Sequence, residues 1–140
     1  MTHGDTLAAA GLLGDDEIFA LTERCIAAWN DGDPEAILAT YSDDVVYRDP
    51  ALDRPIRGKA DLTRYVRAFL RAWDMRFEVT ENRRLAGADA QVCLWLARVG
   101  RRDGTGPTVT VPGMEIIHIR EGLLCRDEGY MDLAPLLPLR

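Results

Sequence analysis

Hydrophobic positions in the first part of the chain recur at the spacing of an α-helix. From Asp15 to Asn30 they form one apolar stripe with charged residues on the opposite side, and Gly32 is expected to end this helix. A short second helix is predicted directly afterwards, because Asp33 is a good N-cap and Pro34 suits the first helical position. The chain is therefore predicted to begin, after a leader, with two consecutive helices.

After the second helix, the pattern of apolar and polar positions changes twice. Tyr41 continues the helical spacing, and residues 42–44 are expected to break the helix. Apolar and polar residues then alternate from Val45 to Asp49, which predicts one short strand. A third amphipathic helix is predicted from about Ala60 to Trp73, with Asp61 as its cap.

Alternation dominates the second half of the chain and predicts a meander of four strands. The last two strands are joined by a tight turn at Glu121 and Gly122, and Pro112-Gly113 is expected to form a bulge or a bend inside the third. The first of these strands starts near Met75, and the others cover residues 91–98, 108–119 and 123–131.

This order of elements predicts an α+β fold. Three N-terminal helices would pack on a strongly curved, mainly antiparallel sheet and form a cone-shaped α+β barrel with an apolar pocket. Residues 91–98 are apolar on both faces, so the outer face of the sheet also needs a cover, and a homodimer is the expected one. We expect a flexible leader at residues 1–14, a single domain at 15–132 and a C-terminal tail at 133–140.

Composition and charge narrow the range of functions. The net charge of −6 argues against a nucleic-acid partner and against binding to an anionic membrane surface, and no segment reaches the length of a membrane span. The scattered cysteines lie in apolar segments and predict buried thiols in a reducing, cytoplasmic compartment. The sequence has no metal-ligand cluster and no glycine-rich phosphate loop, so we predict neither a metal nor a cofactor.

Asp49 is the first candidate for chemistry. Alternation places its side chain on the same strand face as Val45 and Tyr47, at a strand end fixed by Pro50. A carboxylate held against apolar walls is a candidate general base, because desolvation raises its pKa toward working pH. The alternative is that Asp49 only begins an Asp-Pro turn. The strand by itself leaves both interpretations open.

Three stretches of the sequence resemble the nuclear transport factor 2-like superfamily. They are GDPEAILATYSDDVVYRDP, the Gly58 that opens the third helix, and GMEIIHIREGLLCRDEGYMD, and they cover most of the chain from Asp31 to Asp132. Within the superfamily, the chain looks most like the ketosteroid isomerases and the SnoaL-like polyketide cyclases. The resemblance implies the cone-shaped fold but not one chemistry, since the superfamily contains isomerases, cyclases, dehydratases, epoxide hydrolases and binding proteins.

The resemblance to ketosteroid isomerases implies roles for individual residues. Their general base is an Asp directly before a Pro at this strand end, which corresponds to Asp49. Their protonated Asp, which donates a hydrogen bond to the developing oxyanion, corresponds to Glu115. Their third group is a Tyr on the first helix and corresponds to Cys25, whose thiol is a poor hydrogen-bond donor.

Two further resemblances bring in Asp127 and the pocket walls. The last-strand Asp of limonene-epoxide hydrolases corresponds to Gly129, so their catalytic triad is absent, although Asp127 lies two residues earlier on the same face. The resemblance to SnoaL-like cyclases implies a pocket Asp that moves protons on an enolisable polyketide, and Asp49, Glu115 and Asp127 are the candidates. Candidate substrate-binding residues, which could equally be ordinary core, are Trp29, Tyr47, Tyr65, Phe69, Trp95 and Met131.

Three functional hypotheses follow. The first is a cofactor-independent enzyme of the isomerase or cyclase type that transfers protons next to the carbonyl of a small apolar, steroid-like or polyketide-like compound. The second is a non-catalytic protein that binds a small apolar ligand in the same pocket, which the replacement of the isomerase Tyr by Cys25 favours. The third is a protein-interaction module that uses the outer sheet face, although a homodimer accounts for that face as well.

Overall fold

The computed structural model describes residues 12–140, so the leader expected at residues 1–14 lies outside the described residues except for 12–14. The α+β fold predicted from the sequence is confirmed. In chain order the elements are α1 (Asp15–Asp31), α2 (Pro34–Ala39), β1 (Tyr41–Arg48), β2 (Ile56–Arg57), α3 (Lys59–Ala72), β3 (Trp73–Arg84), β4 (Ala90–Arg101), β5 (Val109–Arg120), β6 (Leu123–Met131) and a C-terminal 3-10 helix (Ala134–Leu139).

The predicted boundary between α1 and α2 is confirmed. Gly32 follows α1 in the left-handed conformation, with φ of 67°, which glycine adopts without strain. The side chain of Asp33 caps α2 by accepting hydrogen bonds from the backbone N–H groups of Glu35 and Ala36, at 3.1 and 3.2 Å. Local sequence signals are therefore sufficient to set this boundary.

The cap predicted for α3 is wrong, although the helix starts at Lys59, within one residue of the predicted Ala60. Gly58, with φ of 93°, precedes the helix, and Asp61 does not cap it but forms an ion pair with Arg64 in the next turn. The backbone N–H of Gly58 donates to the carbonyl of Val45 at 2.8 Å, so a contact with β1 fixes where the helix begins. Asp61 is then one of the acidic residues that suit a first helical turn.

The strand β1 begins earlier than predicted. Tyr41 is its first residue and does not belong to α2, and residues 42–44 continue the strand instead of forming a separate break. Tyr41 pairs with Leu124 of β6, and the N–H of Leu124 donates to the carbonyl of Thr40 at 2.9 Å. Pairing with a distant strand therefore outweighs the local helical spacing.

The strands form one mixed, six-stranded sheet in the order β2-β1-β6-β5-β4-β3. β1 runs parallel to β6, and every other neighbouring pair is antiparallel. β2 pairs with β1 and forms one edge of the sheet, while β3 forms the other. No ladder among the described residues joins these edges, so the predicted barrel is not closed by hydrogen bonds.

Of the bulge or bend predicted at Pro112-Gly113, the bulge is wrong. These residues pair with Leu96 and Trp95 of β4 in unbroken register. A Cβ atom on Gly113 would lie 2.4 Å from the ring of Trp95, so glycine is required here because the indole lies directly against the β5 backbone. The glycine at this position is thus explained by a close side-chain contact and not by a bulge.

The helices and the C-terminal segment enclose two apolar clusters on the inner face of the sheet. The first includes Ile18, Ile37 and Leu62, which join all three helices to the sheet. The second lies between the sheet and the C-terminal 3-10 helix and includes Trp95 and Leu139, which is 2% exposed. The segment expected to be a tail is thus packed on the domain.

The outer face of the sheet carries an apolar patch that no element of residues 12–140 covers. Leu96 is 37% exposed, and its neighbours on the patch are half-buried or exposed. The patch consists of Val92, Leu94, Leu96, Pro112, Met114 and Ile116 on β4 and β5. Contiguous exposed apolar patches mark interaction surfaces. We propose that a second copy of the chain covers this patch in an isologous homodimer.

If two copies join through this patch, the protein is expected to show twice the chain mass of 15.6 kDa in solution. Leu94→Glu would bury an unpaired charge in the interface and should convert the dimer to a monomer. Sedimentation equilibrium at micromolar concentration measures both masses. Ala27→Glu, on the exposed side of α1, is the matched control and should stay dimeric. A monomeric wild-type protein would overturn the proposal.

Candidate active site

A cavity lies between the helices and the inner face of the sheet, with a volume of about 180 Å³ and mainly apolar and aromatic walls. All residues that the sequence suggested for the site lie along it: Asp49, Glu115, Asp127, Trp29, Tyr47, Tyr65, Phe69, Trp95 and Met131. Leu136 and Leu139 of the C-terminal 3-10 helix also contribute to its lining. The structure therefore brings the predicted residues together around one enclosed space.

Strand pairing places the three acids in two neighbouring rows across the sheet. Tyr47 pairs with Asp127 in the parallel β1–β6 ladder, and Glu115 pairs with Gly129 in the antiparallel β5–β6 ladder. Asp49 follows β1 and lies beside Gly129, where an added Cβ would be 3.9 Å from the Asp49 Cβ. Gly129 therefore lies between Asp49 and Glu115. Because glycine has no side chain, the space between these two acids is open.

Asp49 accepts hydrogen bonds at both of its carboxylate oxygens. Oδ2 accepts from the hydroxyl of Tyr47, at 3.2 Å, and from the hydroxyl of Tyr65. Oδ1 accepts from the backbone N–H of Ala51 at 2.9 Å, which is the Asx-turn bond of an Asp-Pro turn. The turn role and the cavity position, which the sequence left as alternatives, thus occur together in Asp49.

The two phenols around Asp49 remain hydrogen-bond donors. Burial, followed by the charge of Asp49, raises the pKa of Tyr47 and the pKa of Tyr65 above the usual tyrosine value. Both hydroxyls are therefore protonated at neutral pH, and each can donate to the carboxylate. Their rings belong to an aromatic wall in which Trp29 stacks on Tyr47, with ring centroids 6.4 Å apart.

Glu115 and Asp127 form a carboxyl pair inside the domain. Asp127 is 3% exposed, whereas Glu115 is half-buried, and both line the cavity. Burial, the charge of Asp127 and a hydrogen bond to Asp127 raise the pKa of Glu115 well above its usual value. Burial also raises the pKa of Asp127, although hydrogen bonds from Glu115 and Tyr41 oppose that rise. Both directions favour a proton shared within the pair over two separate carboxylates.

Tyr41 is a residue of the site that sequence reasoning missed. Its side chain is fully buried, and its hydroxyl donates to Oδ2 of Asp127 at 2.6 Å and accepts from Nε1 of Trp29 at 3.2 Å. The register of β1 against β6 shifts between Tyr41 and Val46. This irregularity interrupts the alternation that identified Tyr47 and Asp49, so no periodic signal pointed from them to Tyr41.

Two cysteines near the acids are neutral thiols. Burial raises the pKa of Cys25, which lines the cavity, and raises the pKa of Cys93 to about 12. Cys25 occupies the place where the resemblance put the isomerase Tyr, and a neutral thiol is a weak donor. The stronger donors along the cavity are the phenols, the protonated Glu115 and Nε1 of Trp95, which has no partner among the described residues.

Residues 12–140 contain no group of His, Cys, Asp and Glu side chains arranged to hold a metal ion. Over the same residues, no helix combines the length and the apolar character needed to cross a membrane. The absence of a cofactor and the cytoplasmic location stay predictions from the sequence.

Comparisons with known proteins identify the family and the fold. The sequence profile of the SnoaL-like domain matches residues 22–126. No curated protein matches the chain in sequence. A candidate polyketide cyclase from Pseudomonas putida KT2440 has a similar structure, with a TM-score of 0.74 and 21% identity over 85% of this chain and 94% of that protein.

Two other solved structures share the fold. An NTF2-like protein of unknown function from Burkholderia pseudomallei K96243 has a TM-score of 0.76 and 18% identity, over 88% of this chain and 96% of its own. TerC, co-crystallised with polyporic acid, has a TM-score of 0.74 and 22% identity, over 88% of this chain and 97% of its own. At this identity the similarity supports the fold and not a shared reaction.

The carboxyl pair is expected to make stability depend on pH. A carboxyl whose pKa is raised by folding binds its proton more tightly in the folded state, so its contribution to the free energy of unfolding falls as pH rises through the folded-state pKa. Glu115→Gln removes one titrating group but keeps a donor next to Asp127. From about pH 5 to about pH 8, we expect E115Q to lose less thermal stability than the wild type.

The control for this measurement is Glu23→Gln, on the exposed side of α1, which should keep the pH dependence of the wild type. Unfolding midpoints of the three proteins, followed by circular dichroism at each pH, give the comparison. Equal pH slopes for E115Q and the wild type would mean that folding does not raise the pKa of Glu115.

Proposed function

The chain belongs to the SnoaL-like family, and within it we propose a cofactor-independent enzyme that transfers protons on a small apolar carbonyl compound, as an isomerase or a cyclase. The observation that carries the proposal is the position of Asp49 and Glu115 on either side of Gly129, in one largely apolar cavity. A carboxylate and a protonated carboxyl that face a common space provide a base and an acid for enolisation.

The hydrogen bonds of Asp49 indicate which of its oxygens would act as the base. Each carboxylate oxygen has two lone pairs. Both lone pairs of Oδ2 are engaged by Tyr47 and Tyr65, whereas Oδ1 accepts one bond, from Ala51. The free lone pair on Oδ1 would therefore remove the proton from the carbon next to the substrate carbonyl, while the phenols hold the carboxylate in position.

Glu115 would complete the reaction as the acid. As Asp49 removes the proton, the carbonyl oxygen gains negative charge, and the protonated Glu115 can donate a hydrogen bond or its proton to it. In an isomerase, Asp49 would return the proton to another carbon of the conjugated system. In a cyclase, the enol carbon would instead attack a second carbonyl of the same molecule; the carbon–carbon bond forms as the π bond of that carbonyl opens, and its oxygen takes up the proton held by Asp49.

The walls of the cavity support an apolar, ring-containing substrate. Aromatic side chains from α1, α3, β3 and β4 surround the acids: Trp29, Phe69, Trp73, Phe77 and Trp95. Flat apolar surfaces stack well on such walls. A steroid-like or polyketide-like compound fits this chemistry, in line with the candidate polyketide cyclase among the structural relatives and with the polyporic acid used with TerC.

The alternative is a non-catalytic protein that binds a small apolar ligand in the same cavity. The neutral thiol of Cys25 favours it, because this side chain stands where the resemblance expects a strong oxyanion donor. The three hydrogen bonds to Asp49 also favour it, since each donor stabilises the carboxylate and makes it less reactive as a base. Enzyme and binding protein share the cavity but differ in their dependence on the Asp49 carboxylate.

Asp49→Asn separates these two functions. The Asn side chain keeps the shape and can still form the turn, but it cannot accept a proton at neutral pH. For an enzyme we expect kcat to fall by about 10²- to 10⁴-fold with little change in KM. Turnover is measured on a panel of polycyclic ketones with a β,γ-double bond or a 1,3-dicarbonyl group.

Asp43→Asn is the matched control for this substitution, because the side chain of Asp43 is fully exposed and lies outside the cavity. It should keep the kcat of the wild type. If Asp49→Asn also keeps turnover within a few-fold, Asp49 is not the base. If the wild type binds members of the panel without converting any, the binding protein is favoured.

Gly129→Leu tests the part of the cavity between Asp49 and Glu115, which both the enzyme and the binding protein would need. A Cβ at this position meets only Arg48 O at 3.8 Å and the Asp49 Cβ at 3.9 Å, so the backbone accepts a side chain. The rest of the leucine would fill the space between Asp49 and Glu115. We expect a stable protein whose thermal midpoint is no longer raised by those ketones of the panel that raise the midpoint of the wild type. If these ketones raise both midpoints equally, they bind elsewhere.

A further inference from the structure

A chain of buried hydrogen bonds leads from α1 through β1 to the carboxyl pair. Nε1 of Trp29 donates to the hydroxyl of Tyr41 at 3.2 Å, and this hydroxyl donates to Oδ2 of Asp127 at 2.6 Å. Tyr41 has no exposed surface and Asp127 is 3% exposed, so water does not compete at the junction between them. The chain therefore ends on the carboxyl group that Glu115 shares.

The chemistry of the donors fixes the direction of this chain. An indole N–H can only donate, so Trp29 must give its proton to the oxygen of Tyr41. The phenol has a single proton, and the Asp127 oxygen 2.6 Å away is a much stronger acceptor for it than the neutral thiol of Cys25. Oδ2 of Asp127 therefore acts as an acceptor in this chain.

The surroundings of the other Asp127 oxygen, Oδ1, indicate which acid of the pair carries the proton. Oδ1 is buried and receives no hydrogen bond from an N–H or hydroxyl donor among the described residues. The acid next to it is Glu115, which lies diagonally across the β5–β6 ladder and is the more exposed of the two. Because Asp127 already has one fixed donor at Oδ2, negative charge is better stabilised on Asp127 than on Glu115.

We propose that Tyr41 is a positioning residue, which keeps the negative charge of the pair on Asp127 and the proton on Glu115, where a ligand in the cavity can meet it. Tyr41 itself does not line the cavity and acts only through Asp127. The catalytic use of this proton rests on the proposed function, whereas its placement on Glu115 does not.

Among residues 12–140, Tyr41 is the group that supports Asp127 from outside the pair. The titratable side chains near the pair are Cys25 of α1, Tyr41, Tyr47 and Asp49 of β1 and its end, and Cys93 of β4, while Glu128 of β6 lies on the opposite face of the sheet. None of these is a cation, and Arg140, which lines the same cavity, forms no ion pair with either acid. Tyr47 directs its hydroxyl to Asp49, so among these groups only Tyr41 donates to Asp127 from outside the pair.

Tyr41→Phe tests the proposal without a substrate. Phenylalanine keeps the ring but removes the donor, so the singly charged pair loses stabilisation relative to the doubly protonated pair. The pH at which the pair takes up its second proton should therefore rise by about one to two units, as expected for one charge-assisted hydrogen bond. Carbon-13 NMR titration of labelled Asp and Glu carboxyls measures this, with Glu115→Gln assigning the signals.

Tyr47→Phe is the matched control, since it removes a phenol from the same cavity but from Asp49 and not from the pair. It should move the titration of the pair much less than Tyr41→Phe does. A folded Tyr41→Phe protein with an unchanged titration would overturn the proposal and leave Tyr41 as packing only, even if its thermal midpoint fell.

A second variant covers the case in which Tyr41→Phe does not fold. Trp29→Phe removes the donor to Tyr41 and weakens the polarised chain, so the titration should move in the same direction by a smaller amount. No movement in this variant, or movement to lower pH, contradicts the proposal. Both titrations are read on the free protein, so the outcome does not depend on whether the protein converts any ketone.

Discussion

The parallel pairing of β1 with β6 is the contact on which the site depends. These strands come from opposite ends of the domain, and their ladder places Tyr47 beside Asp127 and Asp49 beside Gly129. The antiparallel β5–β6 ladder then adds Glu115 on the other side of Gly129. If β1 slipped by one residue, its side chains would exchange faces, and Asp49 would leave the cavity.

The main free-energy cost of this arrangement is the desolvation of its carboxyl groups. An ionised carboxyl loses its hydration when it enters an apolar cavity, and only hydrogen bonds or protonation can compensate. Asp49 is compensated by two phenols and one backbone N–H, and Asp127 by Tyr41 and Glu115. The two acid sites thus differ in their partners: Asp49 is surrounded by hydrogen-bond donors, while Asp127 lies beside a second carboxyl group.

Much of the fold could be predicted because its signals are local. The stripe of α1, the Asp33-Pro34 cap and the alternation of the last strands each depend on residues within a few positions, and all are present in the structure. Candidate site residues could be proposed for the same reason, since alternation assigns a face to Tyr47, Asp49, Glu115 and Asp127. The order of elements predicted a pocket, and the resemblance to known families supplied the roles of Glu115 and Asp127.

Interactions between distant residues decided the rest. Tyr41 has helical spacing in the sequence, yet it is a strand residue because its backbone pairs with Leu124. The Pro112-Gly113 signal marks the place where Trp95 needs room, which no local pattern contains. The protonation of Glu115 depends on Asp127 and on the desolvation of both. The sequence by itself determined which elements form and which faces their side chains take, since these follow from local periodicity; pairing and burial, which join residues far apart in the chain, were decided only by the tertiary structure.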